Sequence, residues 1–404
     1  MRNQWPRPSM LNTLRKSHRR HVLTFTFACC GLFTLNHLAS AQTWTQTSAP
    51  TQNWSSIACS ASGSVIVAVA NPGRIYSSTN GGLTWVTNAV PLTNWNSVAC
   101  SADGRHMIAA VLGNYSEGGG IYISTNSGAV WQTNTVGIGE WYAVASSADG
   151  SRLAASMFYP PLIFSSTNGG QAWVSNSFGH EMVSLHCSAD GSRWMASGTP
   201  ATLAVSTNSG VNWSTSANWA GMTYALSIAA SADGARWVAT AAQNILTSTN
   251  LGATWNTNPV PSETWQSIAS SADGSRLIAC SFQHIYTSTN FGISWVSNNL
   301  STISTGFSSV ASSAGGSKLV AAMNGGGIWV AQVATQPGLD ISSASAGAII
   351  SWIVPSTNFL VQQSFDLASW SNLTNVPIIN LTNLRNEVTL WPSNNHAFYR
   401  LMSP

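Results

Sequence analysis

The sequence predicts an all-β fold, a seven-bladed β-propeller closed by an N-terminal strand and followed by a small C-terminal β-sandwich-like module. Three observations predict it. A pair of turn motifs recurs with a period of about 42 residues, the signature of a propeller or solenoid. Only 7% of the 404 residues are charged, while Ser, Thr, Asn, Gly and 19 Trp are abundant, a mix that suits pleated strands and tight turns. No long apolar run keeps a helical period.

The chain begins with a segment unlike the rest. Residues 1–41 hold six basic residues and no acid, and a basic stretch ending at Arg19-Arg20-His21 is followed by an apolar run from Val22 to Leu38. Ala39-Ser40-Ala41 then offers a small-x-small cleavage site, so 1–41 is expected to be a signal peptide. Secretion or display at the cell surface follows, with no membrane span left in the mature chain. Without the leader, nine basic residues face 12 acidic ones, a net charge of about −3. A nucleic-acid binder needs a clustered basic face, so that class is excluded. Of the four cysteines that remain, Cys59, Cys100 and Cys187 share one repeat position and Cys280 sits on another strand. They are expected to be buried free thiols rather than a disulfide framework.

The repeat itself has two turns. The first is Ser-x-x-Gly, seven times from Ser60–Gly63 to Ser313–Gly316, and five of the seven read Ser-Ala-Asp-Gly. The second is Ser-Thr-Asn-x-Gly-x-x-Trp, six times, with its asparagines at Asn80, Asn126, Asn168, Asn208, Asn250 and Asn290. Asp-Gly and Asn-x-Gly are hairpin signals, so each unit resolves into four short strands, A to D. The sixth unit shows the pattern: A over 265–270, B over 276–282, C over 284–287 and D over 293–297. The seventh unit has A, B and C but no second motif. At the other end, Thr43-Trp44-Thr45-Gln46-Thr47 aligns with the strand D segment Thr84-Trp85-Val86-Thr87-Asn88. The N-terminus is therefore expected to supply strand D of the seventh blade, removing two open edges at once. Residues 42–335 make the propeller. Residues 336–404 lack the repeat, and alternating segments at 348–354, 359–363, 387–391 and 398–401 suggest the small sandwich.

The second motif resembles the Asp box (BNR-type repeat) of sialidases, sortilins, xyloglucan hydrolases and the photosystem II assembly propeller, with Asn where that family usually has Asp. Either side chain accepts hydrogen bonds from the backbone N–H groups that follow, so the turn survives the exchange. The resemblance implies that the six asparagines are structural and lie away from the functional face. It also implies that the A–B and C–D turns share one face while the D–A and B–C loops carry function on the other. The tail is similar to C-terminal modules of large secreted bacterial proteins, which end in an aromatic-Tyr-Arg-Leu run like Phe398-Tyr399-Arg400-Leu401.

Sorting charge by face excludes two chemistries known for such propellers. The five propeller aspartates (Asp103, Asp149, Asp190, Asp233 and Asp273) all fall in A–B turns. Only Arg74 is placed to join a sialidase-like arginine set on the functional face, and no aspartate pair is available there for a glycosidase. No catalytic residue is assigned. The glutamates differ, because Glu117 lies in a B–C loop and Glu140, Glu181 and Glu263 lie in D–A loops. Two irregular B–C loops, 112–119 and 158–162, add aromatic residues beside them. The candidate ligand-binding set is Tyr115, Glu117, Glu140, Tyr142, Phe158, Tyr159 and Glu181. Trp141 is a repeat position and is read as core. His180 beside Glu181 is too little for a metal site. The expected function is a monomeric binding or scaffold propeller, without cofactor or metal, that meets a protein or glycan on the D–A/B–C face. The alternative is a glycoside hydrolase using the loop-face glutamates.

Overall fold

A computed structural model describes residues 42–402 except 114–117, 201, 216–224, 299, 301–304, 334–338, 345–346, 354–359, 383 and 391–396. The leader lies outside the described residues. Among them there is no helix, and the chain is built of short antiparallel strands.

The third repeat sets the pattern. Strand A is Trp141–Ser146, B is Leu153–Met157, C is Leu162–Ser166 and D is Val174–Ser177, paired in that order. Strand B is buried along its whole length because it is flanked by strands and covered on both faces, whereas strand D is mostly exposed. The same order recurs in the other repeats. In the sixth repeat the strands run Trp265–Ser270, Leu277–Ser281, Ile285–Ser288 and Val296–Asn298. The N-terminal strand Trp44–Gln46 pairs antiparallel with Ile328–Gln332, the third strand of the last repeat, with Trp44 opposite Ala331. It thus occupies the outer position of the sheet that also holds Phe307–Ser312 and Lys318–Gly326.

Apolar clusters lie between successive sheets. One joins Val67, Val69 and Ile75 of the first repeat to Trp95, Met107 and Ala109 of the second. Trp54, Trp95, Trp141 and Trp265, which begin or sit within strand A, are wholly buried. The indoles of the second motif, such as Trp85, Trp131 and Trp173, are only partly buried and pack on the edges of these clusters. The large buried surface expected of the motif Trp is carried chiefly by the strand A Trp.

The A–B turns build a second, polar connection. In each turn the Gly has a positive φ, from +62° to +75°, a conformation that L side chains rarely adopt. It also packs against the preceding repeat: a Cβ on Gly150 would lie 2.4 Å from the Cβ of His106. Around the ring, the turn alanines link backbone to backbone. Ala61 N–H donates to the Ala102 carbonyl, and the series runs through Ala148, Ala189, Ala232 and Ala272 to Ala314, which donates back to Ala61, all at 2.6–2.9 Å. In the first six repeats the C–D turn bonds to its own A–B turn, as Gly169 N–H does to the Ser151 carbonyl at 2.7 Å, so both turns share one face.

In each second motif the Asn Oδ1 accepts the backbone N–H four residues on, at 2.8–2.9 Å. The Ser Oγ accepts the Gly N–H at 2.9–3.1 Å. The amide adds what a carboxylate lacks: Nδ2 of Asn80, Asn250 and Asn290 donates to the hydroxyl of Thr84, Thr254 and Ser294.

Beyond the repeats, Asp340–Ala344, Gly347–Ile353, Arg385–Leu390 and Ile378–Asn380 form one sheet, and Ser371–Asn372, Leu360–Ser364 and Phe398–Met402 form another. Ile350, Trp352, Val361 and Val388 make their shared core. Three of these strands, 340–344, 371–372 and 378–380, have no counterpart in the expected set.

Candidate functional site

Strand A of each repeat carries an irregularity near its start. In the third repeat the register steps between Trp141 and Ala143, which makes Tyr142 the extra residue of a β-bulge. A bulged residue leaves the ladder and its side chain is re-aimed. Trp141 therefore enters the core while Tyr142 stays half-buried at the loop end of the strand. Asn96, the corresponding residue of the second repeat, donates from Nδ2 to the Tyr142 carbonyl at 2.6 Å and ties the two bulges together.

The Tyr142 ring stacks on Phe158, with centroids 5.8 Å apart and planes 26° from parallel. Phe158 stands directly after strand B, and its N–H donates to the Glu140 carbonyl at 2.8 Å. The Glu140 backbone also bridges to Leu112, and Gly139 to Gly119, so the 112–119 loop of the second repeat is stitched to the entry of the third. The base of that loop closes tightly: a Cβ on Gly119 would lie 1.9 Å from the Val111 carbonyl oxygen. Tyr159 follows Phe158 and is 62% exposed.

Glu181 is the first residue of strand A of the fourth repeat, opposite Thr199, whose Oγ1 donates to Oε2 at 3.3 Å. Burial pushes the Tyr142 hydroxyl above its ordinary pKa, and the charge of Glu181 adds to the shift. Tyr142 thus senses both a neighbouring ring and a carboxylate. The structure brings Tyr142, Phe158 and Glu181 into one neighbourhood and joins Glu140 to it through the backbone. Tyr115 and Glu117 lie outside the described residues. Such a group offers an aromatic surface with hydrogen-bond acceptors at its side, and it suits recognition of a ligand carrying donors.

A second polar group, on the sixth repeat, joins residues far apart in sequence. Glu263 accepts from the Tyr286 hydroxyl at 2.6 Å and meets His284 Nδ1 at 2.9 Å. Burial alone would push the Glu263 carboxyl up. Hydrogen bonds from Ser281, Tyr286 and His284 outweigh it and hold the group below the usual carboxylate range. Tyr286 is pushed up to about 12 by burial and by the same carboxylate. The cluster clasps a D–A loop to a B–C loop. Glu263 was visible in the sequence as a loop glutamate, but nothing local linked it to His284. Among the described residues no group of three His, Cys, Asp or Glu is placed to hold a metal ion.

No family model matches the chain, and neither does any curated protein. Solved structures do share its fold. YCF48 bound to D1 peptide is 12% identical with a TM-score of 0.57, over 74% of this chain and 98% of that one. YCF48 from Cyanidioschyzon merolae is 16% identical with a TM-score of 0.57, over 72% of this chain and 99% of that one. The GH74 xyloglucanase from Xanthomonas campestris is 12% identical with a TM-score of 0.58, over 77% of this chain and 59% of the xyloglucanase. At such identities the likeness speaks for fold alone, because unrelated functions share superfolds. With antiparallel four-stranded sheets in series and these neighbours, the chain is a β-propeller.

Proposed function

We propose that the chain is a secreted, seven-bladed, Asp-box-type propeller that binds a protein partner on its D–A/B–C face without transforming it. In this reading residues 1–41 are removed, 42–335 form the propeller and 336–404 a separate small module. The observation that carries the binding reading is the Tyr142–Phe158 stack beside Glu181. Paired rings held by a bulge and a backbone hydrogen bond are pre-ordered, and rigid aromatic anchors supply most of the energy of an interface. A neighbour of the same fold, YCF48, is bound to a peptide, which favours a protein segment over a glycan as the ligand.

The competing reading is a glycoside hydrolase, since a xyloglucanase shares the fold. That chemistry needs one carboxyl kept protonated as a general acid. Glu263 is held ionised, which bars it from the acid's part but leaves it suited to that of the second carboxylate.

The test is capture of partners by the mature chain, followed by titration of the captured protein. Tyr142→Ala with Phe158→Ala should weaken binding by roughly 2 kcal/mol, about thirtyfold in Kd, with little change in melting temperature. Unchanged affinity would move the site elsewhere. Turnover of labelled polysaccharide, lost on Glu181→Gln, would replace binding with hydrolysis.

A further inference from the structure

The alanine ring described above marks one mouth of the central channel. Five of its seven small apolar side chains, Ala148, Ala189, Ala232, Ala272 and Ala314, are only 6–9% exposed, while Ala61 and Ala102 are partly buried. Ile353 and Leu384, from the C-terminal module, pack against them. The two stand at one end of the module's first sheet, where Ile353 pairs with Arg385. That end is braced: Arg385 Nε donates to Ser351 Oγ at 2.9 Å and Nη2 pairs with Asp340.

Leu384 carries a second signal. Its φ is +52°, a left-handed conformation that costs a leucine energy and persists where surrounding contacts demand it. In that conformation its side chain lines a cavity of about 150 Å³, together with Cys59, Cys100, Cys187 and His186 of the inner strands.

We infer that the C-terminal module is a stopper for the central channel: Leu384 and Ile353 close the alanine-ringed mouth and screen the thiol-lined cavity behind it. The module is then an internal partner of the centre of the A–B face, at the channel mouth. This role stands whether or not the Tyr142–Phe158 surface is the binding site.

The cavity thiols report on the stopper. Burial pushes the Cys59 thiol up to about 12 and raises Cys100 and Cys187 as well, so all three react slowly even though Cys59 and Cys100 are only partly buried. Cys280 is buried outside the cavity and serves as an internal clock of general unfolding. The experiment is alkylation of the full chain by N-ethylmaleimide, followed site by site with mass spectrometry. Leu384→Asn keeps a residue that tolerates a left-handed backbone while removing the apolar seal. Ile353→Thr is a second variant that leaves the strand intact. Either should raise labelling of the three cavity thiols by about tenfold or more and leave Cys280 unchanged. Equal labelling of the cavity thiols in wild type and both variants overturns the inference. So does a parallel rise at Cys280, which would make the module one cooperative core with the propeller rather than a separable stopper.

Discussion

His186 offers a test whose size can be worked from the structure. In every other repeat the equivalent strand A position is alanine, for example Ala58, Ala99 and Ala145. Here an imidazole lies at the wall of the channel cavity, edge-on to Trp237 with ring centroids 6.3 Å apart. Burial lowers its pKa from 6.5 to about 4, and the neighbouring Cys187 backbone opposes the shift only in part. The folded value lies below the unfolded one, so between them the unfolded chain binds a proton that the folded chain refuses. Stability is therefore complete above pH 6.5 and falls as pH drops toward 4. The difference corresponds to roughly 3 kcal/mol across that window, at 1.36 kcal/mol per pKa unit. His186→Ala restores the repeat residue and should flatten the curve. Urea unfolding of both proteins at several pH values from 7.5 to 4 measures it. Asp149 and Asp190 do not confuse the comparison, because hydrogen bonds and Arg152 outweigh burial and hold both below 3.8, so their contribution is lost only at lower pH. Parallel curves for the two proteins would refute the assignment of a neutral histidine at the cavity wall.

Two further perturbations probe the scaffold. Asn168→Ala removes the acceptor of the Ala172 N–H and should cost on the order of 1 kcal/mol in thermal or urea unfolding, with partner binding unaltered; loss of binding in a folded protein would make the turn functional. Deleting Gln42–Ala49 strips Trp44–Gln46 from Ile328–Gln332 and leaves an unpaired edge. Light scattering should then reveal aggregation, and a monomer with an unchanged melting temperature would contradict it.

The strands were legible because the turns that bound them demand particular residues. An Asp-Gly or Asn-x-Gly turn with a positive φ at Gly fixes both ends of a hairpin, and apolar residues between turns leave little choice of register. The sixth repeat shows this, since its observed strands fall within one to three residues of those expected. What the sequence hid was pairing between repeats. Nothing local says that Ala148 N–H reaches the Ala189 carbonyl, or that Asn134 Nδ2 reaches the Gly170 carbonyl at 2.8 Å. The bulge at Tyr142 was hidden too, because one extra residue leaves the apolar alternation around it almost undisturbed. For the same reason Glu263 read as a loop charge until His284 and Tyr286 were found beside it.

These hidden pairings explain why variable chemistry gathers on one face. Each A–B turn is constrained twice, by the Gly backbone and by a hydrogen bond to its neighbour. The contacts are close enough that a Cβ on Gly104 would fall 2.6 Å from Val65 Cβ, and one on Gly316 2.5 Å from Arg276 Cδ. A change of length or side chain in one turn is therefore felt by the next, and Ile353 and Leu384 pack on the alanines of the ring. Among the described residues the D–A and B–C loops carry no such ring. They are held by bonds that involve two or three residues at a time, such as Phe158 to Glu140 or Gly139 to Gly119. A loop there can lengthen, as 112–119 does, while the sheet behind it keeps its register. Bulges at the same end turn one residue per strand out of the ladder, and in the third repeat that residue is a tyrosine. Side chains can vary there at least cost to closure, and the same physics makes the opposite face monotonous.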